Sequence, residues 1–146
     1  MLHKHENVSD ISSTLRANGF RVTESRLKLL QLLKHSGKPL SIQKILSIWK
    51  ESPPDPTTLY RSLTDLSSAK IVRRVDLNTG IAHFEYTPDR PHHHHIVCNE
   101  CGMIEEINDC SVDVLQKKIA GASKKFKEIT THNLEFFGRC VKCPIT

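Results

Sequence analysis

Asp55-Pro56-Thr57-Thr58-Leu59-Tyr60-Arg61-Ser62-Leu63-Thr64-Asp65-Leu66, followed by Val72-Arg73-Arg74-Val75-Asp76-Leu77 and Ile81-Ala82-His83-Phe84-Glu85-Tyr86, is the stretch on which the fold turns. Asp55 carries the short acceptor that caps a helix, and Pro56 stands at the first helical position, where a missing N–H is harmless. Leu59, Leu63 and Leu66 recur at helical spacing and make a stripe for a core. About half a turn away lie Thr57, Tyr60, Arg61 and Thr64, with Thr58 at the edge. Hydroxyls, a phenol and a guanidinium are groups that hydrogen-bond phosphates and base edges. A polar outer face is ordinary for an amphipathic helix, so the segment C-terminal to it decides. The two strand-like runs, Val72 to Leu77 and Ile81 to Tyr86, flank Asn78-Thr79-Gly80 and read as a β-hairpin.

Upstream, the chain reads as further helices. Ser9 or Asp10 is placed as the cap of a first helix stopping at Gly19, Thr23 as the cap of a second ending before Gly37, and Ser41 as the cap of a third. Three or four helices and then a hairpin with Arg73 and Arg74 on its first strand is the winged helix-turn-helix pattern, in which a helix enters the major groove. Charge agrees with this placement. Residues 1–86 hold 13 Lys and Arg against 8 Asp and Glu, whereas residues 87–146 hold 8 of each, so the net +5 lies wholly in the first part. An excess of this kind can act as a footprint for phosphates.

Thr87-Pro88-Asp89-Arg90-Pro91 resists helix and marks a connector. Beyond it, His92 to Cys98 and Met103 to Ile107 read as strands, Val112, Leu115 and Ile119 mark a helix, and His132 to Phe137 reads as a last strand. The expected class is α+β: a winged-helix domain over residues 1–86, a hinge over 87–91, and a small α/β dimerisation domain over 92–146. All five cysteines lie in this last part. Cys98-x-x-Cys101 and Cys140-x-x-Cys143 supply two thiolate pairs, enough for a closed tetrahedral zinc site of structural kind. Cys110 is read as a gap filler or an idle residue rather than a ligand. No apolar run is long enough for a membrane span, and the N-terminus has no apolar leader, so the expectation is cytoplasmic.

Four consecutive histidines divide by the pleat, His92 and His94 to one side and His93 and His95 to the other, so the run can serve two ion sites. His83 and Glu85 share a face of the preceding hairpin, and Glu106 is the carboxylate expected beside His93 and His95. Asp113 and His132 are the candidates for the other side. Imidazole with carboxylate suits divalent iron, zinc, manganese or nickel. A site of His83, Glu85, His93, His95 and Glu106 is expected to clasp the hinge, so that occupancy favours one arrangement of the domains.

These residues resemble the ferric-uptake regulator (Fur) family of bacterial metal sensors over nearly the full chain. The resemblance is carried by Leu15-Arg16-Ala17-Asn18-Gly19-Phe20-Arg21-Val22-Thr23 with Arg26, Pro56-Thr57-Thr58-Leu59-Tyr60-Arg61, Phe84-Glu85-Tyr86, His92 to Cys98, Cys101-Gly102, and His132 with the second cysteine pair. It implies a homodimer, with further assembly left open, that binds A·T-rich inverted repeats in double-stranded DNA when metal is bound. It implies structural zinc on Cys98, Cys101, Cys140 and Cys143, a regulatory site involving Glu85, His93, His95 and Glu106, and a third site on His92, His94, Asp113 and His132. Iron(II) or zinc is the expected regulatory ion, with manganese(II) as a substitute. Arg21, Thr57, Thr58, Tyr60, Arg61, Thr64, Arg73 and Arg74 are the candidate DNA contacts.

The chain departs from the family pattern in two places. Lys38-Pro39 stands where many iron-sensing members have a histidine ligand, and His83 is read as the imidazole that substitutes for it. Glu85 stands where zinc-sensing members often have cysteine. Peroxide- or nickel-responsive members of the family are the nearest alternatives, although peroxide sensors tend to carry aspartate where this chain has Glu85 and Glu106. A metal-buffering protein or a hydrolytic metalloenzyme is the more distant one. There is no nucleophile–base pair and no H-E-x-x-H helix, and the enzyme reading leaves the basic N-terminal part unexplained, so no enzyme is expected. A buffering protein would not need Asp55-Pro56 opening a helix of Thr57, Thr58, Tyr60 and Arg61.

Overall fold

In the computed structural model the described residues are 3–88, 90, 92–108 and 111–144, with only the backbone of residues 3–7. The chain folds as two units, Met1–Arg90 and Pro91–Thr146. Asp89 and Pro91 of the connector, and Cys110, lie outside the described residues.

The first unit begins with helices α1 (His3–Ala17) and α2 (Glu24–Ser36). Helix α1 starts before Ser9 and Asp10, which are therefore interior residues and not its cap. Lys4 and Glu6 are good helix formers and no glycine or proline interrupts the run, so the helix extends through the cap-like pair. The Thr23 hydroxyl caps α2 by accepting the Arg26 N–H at 3.3 Å. Gly37 ends it at φ 63°, a left-handed conformation that glycine adopts without strain. A two-residue strand β1 (Leu40–Ser41) leads into α3 (Ile42–Ile48), and α4 (Pro56–Ser68) opens at Asp55, whose carboxylate accepts the Thr58 N–H at 3.0 Å.

Strands β2 (Val72–Asp76) and β3 (Ala82–Tyr86) form the hairpin. Its turn is set by the Asp76 carboxylate accepting the Asn78 N–H at 2.9 Å, with Asn78 at φ 56° and Gly80 at φ 72°. Strand β1 pairs with the other edge of β3, so the sheet order is β1-β3-β2. One face of this sheet joins the helices in a single core containing Leu15, Leu30, Leu59, Leu63, Phe84 and Tyr86. Leu63 is fully buried there. Leu63→Ala is expected to destabilise the first unit by about 2–5 kcal/mol, read by urea denaturation. A loss below about 1 kcal/mol would mean the core collapses around the missing carbons.

The second unit contains β4 (His94–Cys98), β5 (Ile104–Ile107), helix α5 (Val112–Ala122) and β6 (Glu135–Gly138). The sheet order is β5-β4-β6, with β5 antiparallel and β6 parallel to the central strand. The parallel pairing is not visible in the sequence pattern. It brings the second cysteine pair back beside the first, because Cys98 registers with Gly138, two residues before Cys140.

Candidate metal centres and nucleic-acid interface

At the end of β4, two turns hold the four thiols together. The Cys98 N–H donates to the Met103 carbonyl at 2.8 Å and the Gly102 N–H to the Cys98 carbonyl at 2.9 Å, which curls the chain so that Cys101 returns under Cys98. The Cys143 N–H donates to the Cys140 carbonyl at 3.1 Å and makes the matching turn. The sulfurs of Cys98, Cys101, Cys140 and Cys143 all lie within 4.8 Å of one another. The Cys98–Cys143 separation is 3.8 Å, and Cys101–Cys140 and Cys140–Cys143 are each 3.6 Å. Four thiolates about 2.3 Å from one zinc ion at tetrahedral angles stand roughly 3.8 Å apart, so the cage fits that ion.

The thiols do not titrate alike. Backbone N–H groups of Cys101 and then Cys140 favour the Cys98 thiolate and bring its pKa down to about 6. Hydrogen bonding with the sulfurs of Cys140 and then Cys101 pushes Cys143 up to about 12. Four thiolates at this spacing require a cation to coexist, which is the chemistry a divalent metal supplies.

A second cluster uses the other end of β4. The Nε2 atoms of His92, His94 and His132 are 3.0 to 3.4 Å apart. Nitrogens about 2.05 Å from a shared zinc ion in a tetrahedron stand roughly 3.3 Å apart, so this triad also matches a metal. The outer ring atoms are oriented. His94 Nδ1–H donates to the Leu134 carbonyl at 2.8 Å, and the Gln116 side-chain amide contacts His132 Nδ1. With the amide oxygen turned to the ring, each Nδ1 carries its proton and each Nε2 faces the centre. Asp113 lies on the wall of the same cleft with His92, Gln116 and His132. It is not among the three converging donors.

The opposite face of β4 presents His93 and His95, both buried, with ring centroids 5.1 Å apart. Glu106 on β5 stands directly across from His95. Glu135, which sequence reasoning missed, accepts the His95 backbone N–H at 2.9 Å and contacts its Nδ1 at 3.0 Å through the same oxygen. A carboxylate on Nδ1 fixes the tautomer whose basic nitrogen is Nε2, the usual arrangement behind a metal-binding imidazole. The only signal for Glu135 is the parallel register of β6 on β4, in which it is the partner of His95.

In the first unit, His83 and Glu85 share the face of β3 opposite Phe84 and Tyr86, as alternation requires. His83 Nδ1 contacts the Ile81 carbonyl at 2.9 Å. Glu85 is fully buried, and Arg73 Nε donates to its Oε1 at 2.7 Å, with Arg90 Nη1 3.8 Å from Oε2.

The polar face of α4 is open to solvent at Thr57, Tyr60, Arg61 and Thr64. Thr58 is engaged locally, its hydroxyl donating to Asp55, which holds the Asp55 carboxyl below the usual carboxylate range. The Thr64 hydroxyl donates back to the Tyr60 carbonyl at 2.9 Å. Tyr60 is 45% exposed, a large ring left open on that face. Arg74 lines a cleft with Tyr60, Thr64, Ser67 and Ser68, whereas Arg73, grouped with it as a DNA contact on sequence alone, points to the other face and holds Glu85. Arg21 is exposed, and its carbonyl accepts the Arg26 guanidinium at 3.0 Å.

Comparison with known proteins points one way. The model of the ferric uptake regulator family matches residues 17–137. The chain is 36% identical over 141 residues to the ferric uptake regulation protein of Neisseria gonorrhoeae, covering 94% of this chain and 95% of that protein. It superimposes on the Vibrio cholerae ferric uptake regulator with a TM-score of 0.73 at 30% identity, over 88% of this chain and 98% of that one. The Francisella tularensis regulator, solved with iron, gives a TM-score of 0.71 at 32% identity over 86% and 95%.

Proposed function

The chain belongs to the ferric uptake regulator family, and from that premise we propose that it represses metal-uptake genes by binding A·T-rich inverted repeats as a homodimer when a regulatory ion is held. It is a metal-dependent transcriptional regulator of metal homeostasis and not an enzyme. The observation that carries the finer reading is the economy of one strand. Strand β4 and the two residues before it send His92 and His94 to one centre, His93 and His95 to another face, and Cys98 to the sulfur cage.

Cys98, Cys101, Cys140 and Cys143 would hold zinc, which stabilises their unit and leaves no position open for substrate. His92, His94 and His132, with Asp113 within reach, would hold a second ion. His93, His95 and Glu106, with Glu85 and His83 from the hairpin, are proposed as the regulatory set at the hinge, oriented from behind by Glu135. Iron(II) is supported by the iron reported in the Francisella tularensis regulator. Zinc and manganese(II) suit the same mixed donors.

Arg21, Thr57, Tyr60, Arg61, Thr64 and Arg74 are proposed to face DNA, and the open face of α4 beside Arg74 supports this. Dimerisation is supported by the second unit's surface. Helix α5 buries none of its residues, and Val114, Leu115, Ile119, Phe136 and Phe137 are exposed. A second copy would cover such a surface. Among the described residues no helix is long and apolar enough to cross a membrane, and a regulator of this kind is proposed to act in the cytoplasm.

The test starts from protein retaining sulfur-bound zinc but stripped of labile ions. Promoter DNA from metal-uptake genes is titrated with iron(II), zinc and manganese(II) in turn. At least one ion should tighten binding, and binding should fall steeply with added salt. Arg61→Ala should weaken specific binding by about 1–3 kcal/mol while metal content is unchanged. Promoter affinity indifferent to every ion would remove the repressor reading.

A further inference from the structure

Arg73 lies on the face of the hairpin opposite Arg74, and it contacts Glu85, a carboxylate that is fully buried. Strand register sets it directly across from Glu85. Its Nε donates to Oε1 at 2.7 Å, and a terminal guanidinium nitrogen reaches the same oxygen. The Glu85 side chain is 0% exposed, while Arg73 is 30% and Arg90, 3.8 Å from the second oxygen, is 23% exposed. A buried carboxylate needs a cation or several donors to remain ionised, and here the chain supplies guanidinium on both oxygens.

We propose that Arg73 is an internal competitor of the regulatory ion: it neutralises Glu85 in the metal-free protein, withdraws when Glu85 becomes a ligand, and so raises the ion concentration at which the regulator responds. The proposal rests on reading Glu85 as a regulatory ligand. The guanidinium occupies lone pairs of Oε1 and neutralises the charge that would attract a metal, and two cations on one carboxylate repel. Ion capture is then an exchange rather than an addition, and apparent affinity falls by the fraction of molecules in which Glu85 is still held by Arg73. Arg74, one residue on, is on the other face and plays no part.

The probe is manganese(II) alone, titrated calorimetrically into full-length protein that retains its sulfur-bound zinc. The relevant binding class is the one abolished by His93→Ala with His95→Ala. In that class Arg73→Ala and Arg73→Gln should each tighten manganese(II) binding roughly tenfold or more, a coupling of ordinary size. Metal-free Arg73→Ala should melt below the wild type and recover more of its stability on adding manganese(II), since the ion replaces the lost cation. Arg73→Gln keeps part of the aliphatic stem and an uncharged N–H donor, so it decides the matter if the alanine variant fails to fold. Unchanged or weaker affinity in Arg73→Gln overturns the proposal, leaving Arg73 a structural ion pair. If instead the double histidine variant binds manganese(II) like the wild type, the regulatory-site reading fails, which is a separate outcome.

Discussion

Cys140→Ser is expected to strip zinc from the sulfur cage, unfold residues 91–146 and reduce promoter binding by about three orders of magnitude, the gap separating specific from non-specific recognition. The expectation follows from how little else holds that unit. Among its described residues the buried apolar side chains are only Val97 and Cys98, and α5 buries none of its own. A unit this small, with its apolar residues on the outside, cannot offset its chain entropy by burial alone. A structural zinc ion, worth on the order of 10–16 kcal/mol in small domains, can. Cys140 is well placed to show this, since its sulfur stands 3.6 Å from both Cys101 and Cys143 and its N–H donates to the Cys98 sulfur at 3.3 Å. Serine offers a harder oxygen that does not ionise near neutral pH, so the fourth ligand is lost. Zinc content by mass spectrometry, association by sedimentation, and melting of the second unit should change together. A serine variant that is zinc-free yet dimeric and cooperatively folded would show that the cage is not what stabilises the unit.

Which parts of this arrangement were readable in the sequence depends on whether the deciding interaction was local. Asp55 and Pro56 open α4 because a cap and its helix are neighbours in the chain, and Leu59, Leu63 and Leu66 reach the core because helical spacing alone puts them on one side. The cysteine pairs were legible for the same reason, each C-x-x-C being a turn that needs no distant partner. Strand β6 was not, since its parallel pairing with β4 joins His95 to Glu135, 40 residues apart. With that pairing hidden, the carboxylate orienting His95 was hidden too. The two-residue strand β1 is too short to carry any periodicity and exists only because β3 offers it an edge. Arg73 is the instructive case between these extremes. It and Glu85 are equidistant from Thr79, so hairpin pairing alone places them opposite one another. Reading Arg73 with Arg74 as one basic pair ignored the pleat, which sends consecutive side chains to opposite faces.

His93→Ala combined with His95→Ala should leave a folded, zinc-containing dimer whose DNA affinity no longer responds to metal, a loss of up to about a hundredfold in metal-stimulated binding. The two rings lie on the side of β4 away from the His92, His94 and His132 triad and are not part of the sulfur cage, so the other two centres keep their donors. An ion can shift an equilibrium between arrangements only by its differential affinity for them, and these imidazoles are the proposed source of that difference. Truncating them removes the stimulus while the side chains proposed to face DNA, which are in the other unit, stay as they were. The prediction therefore separates regulation from binding: affinity in the absence of labile metal should match the wild type, and only the increment on adding metal should vanish. Substituting His92 and His132 provides the contrast, since their loss should alter metal stoichiometry without abolishing that increment. If the His92 and His132 variant were the one to lose its metal response while the His93 and His95 variant kept it, the regulatory role would belong to the triad. One face of β4 would then have been assigned the function of the other.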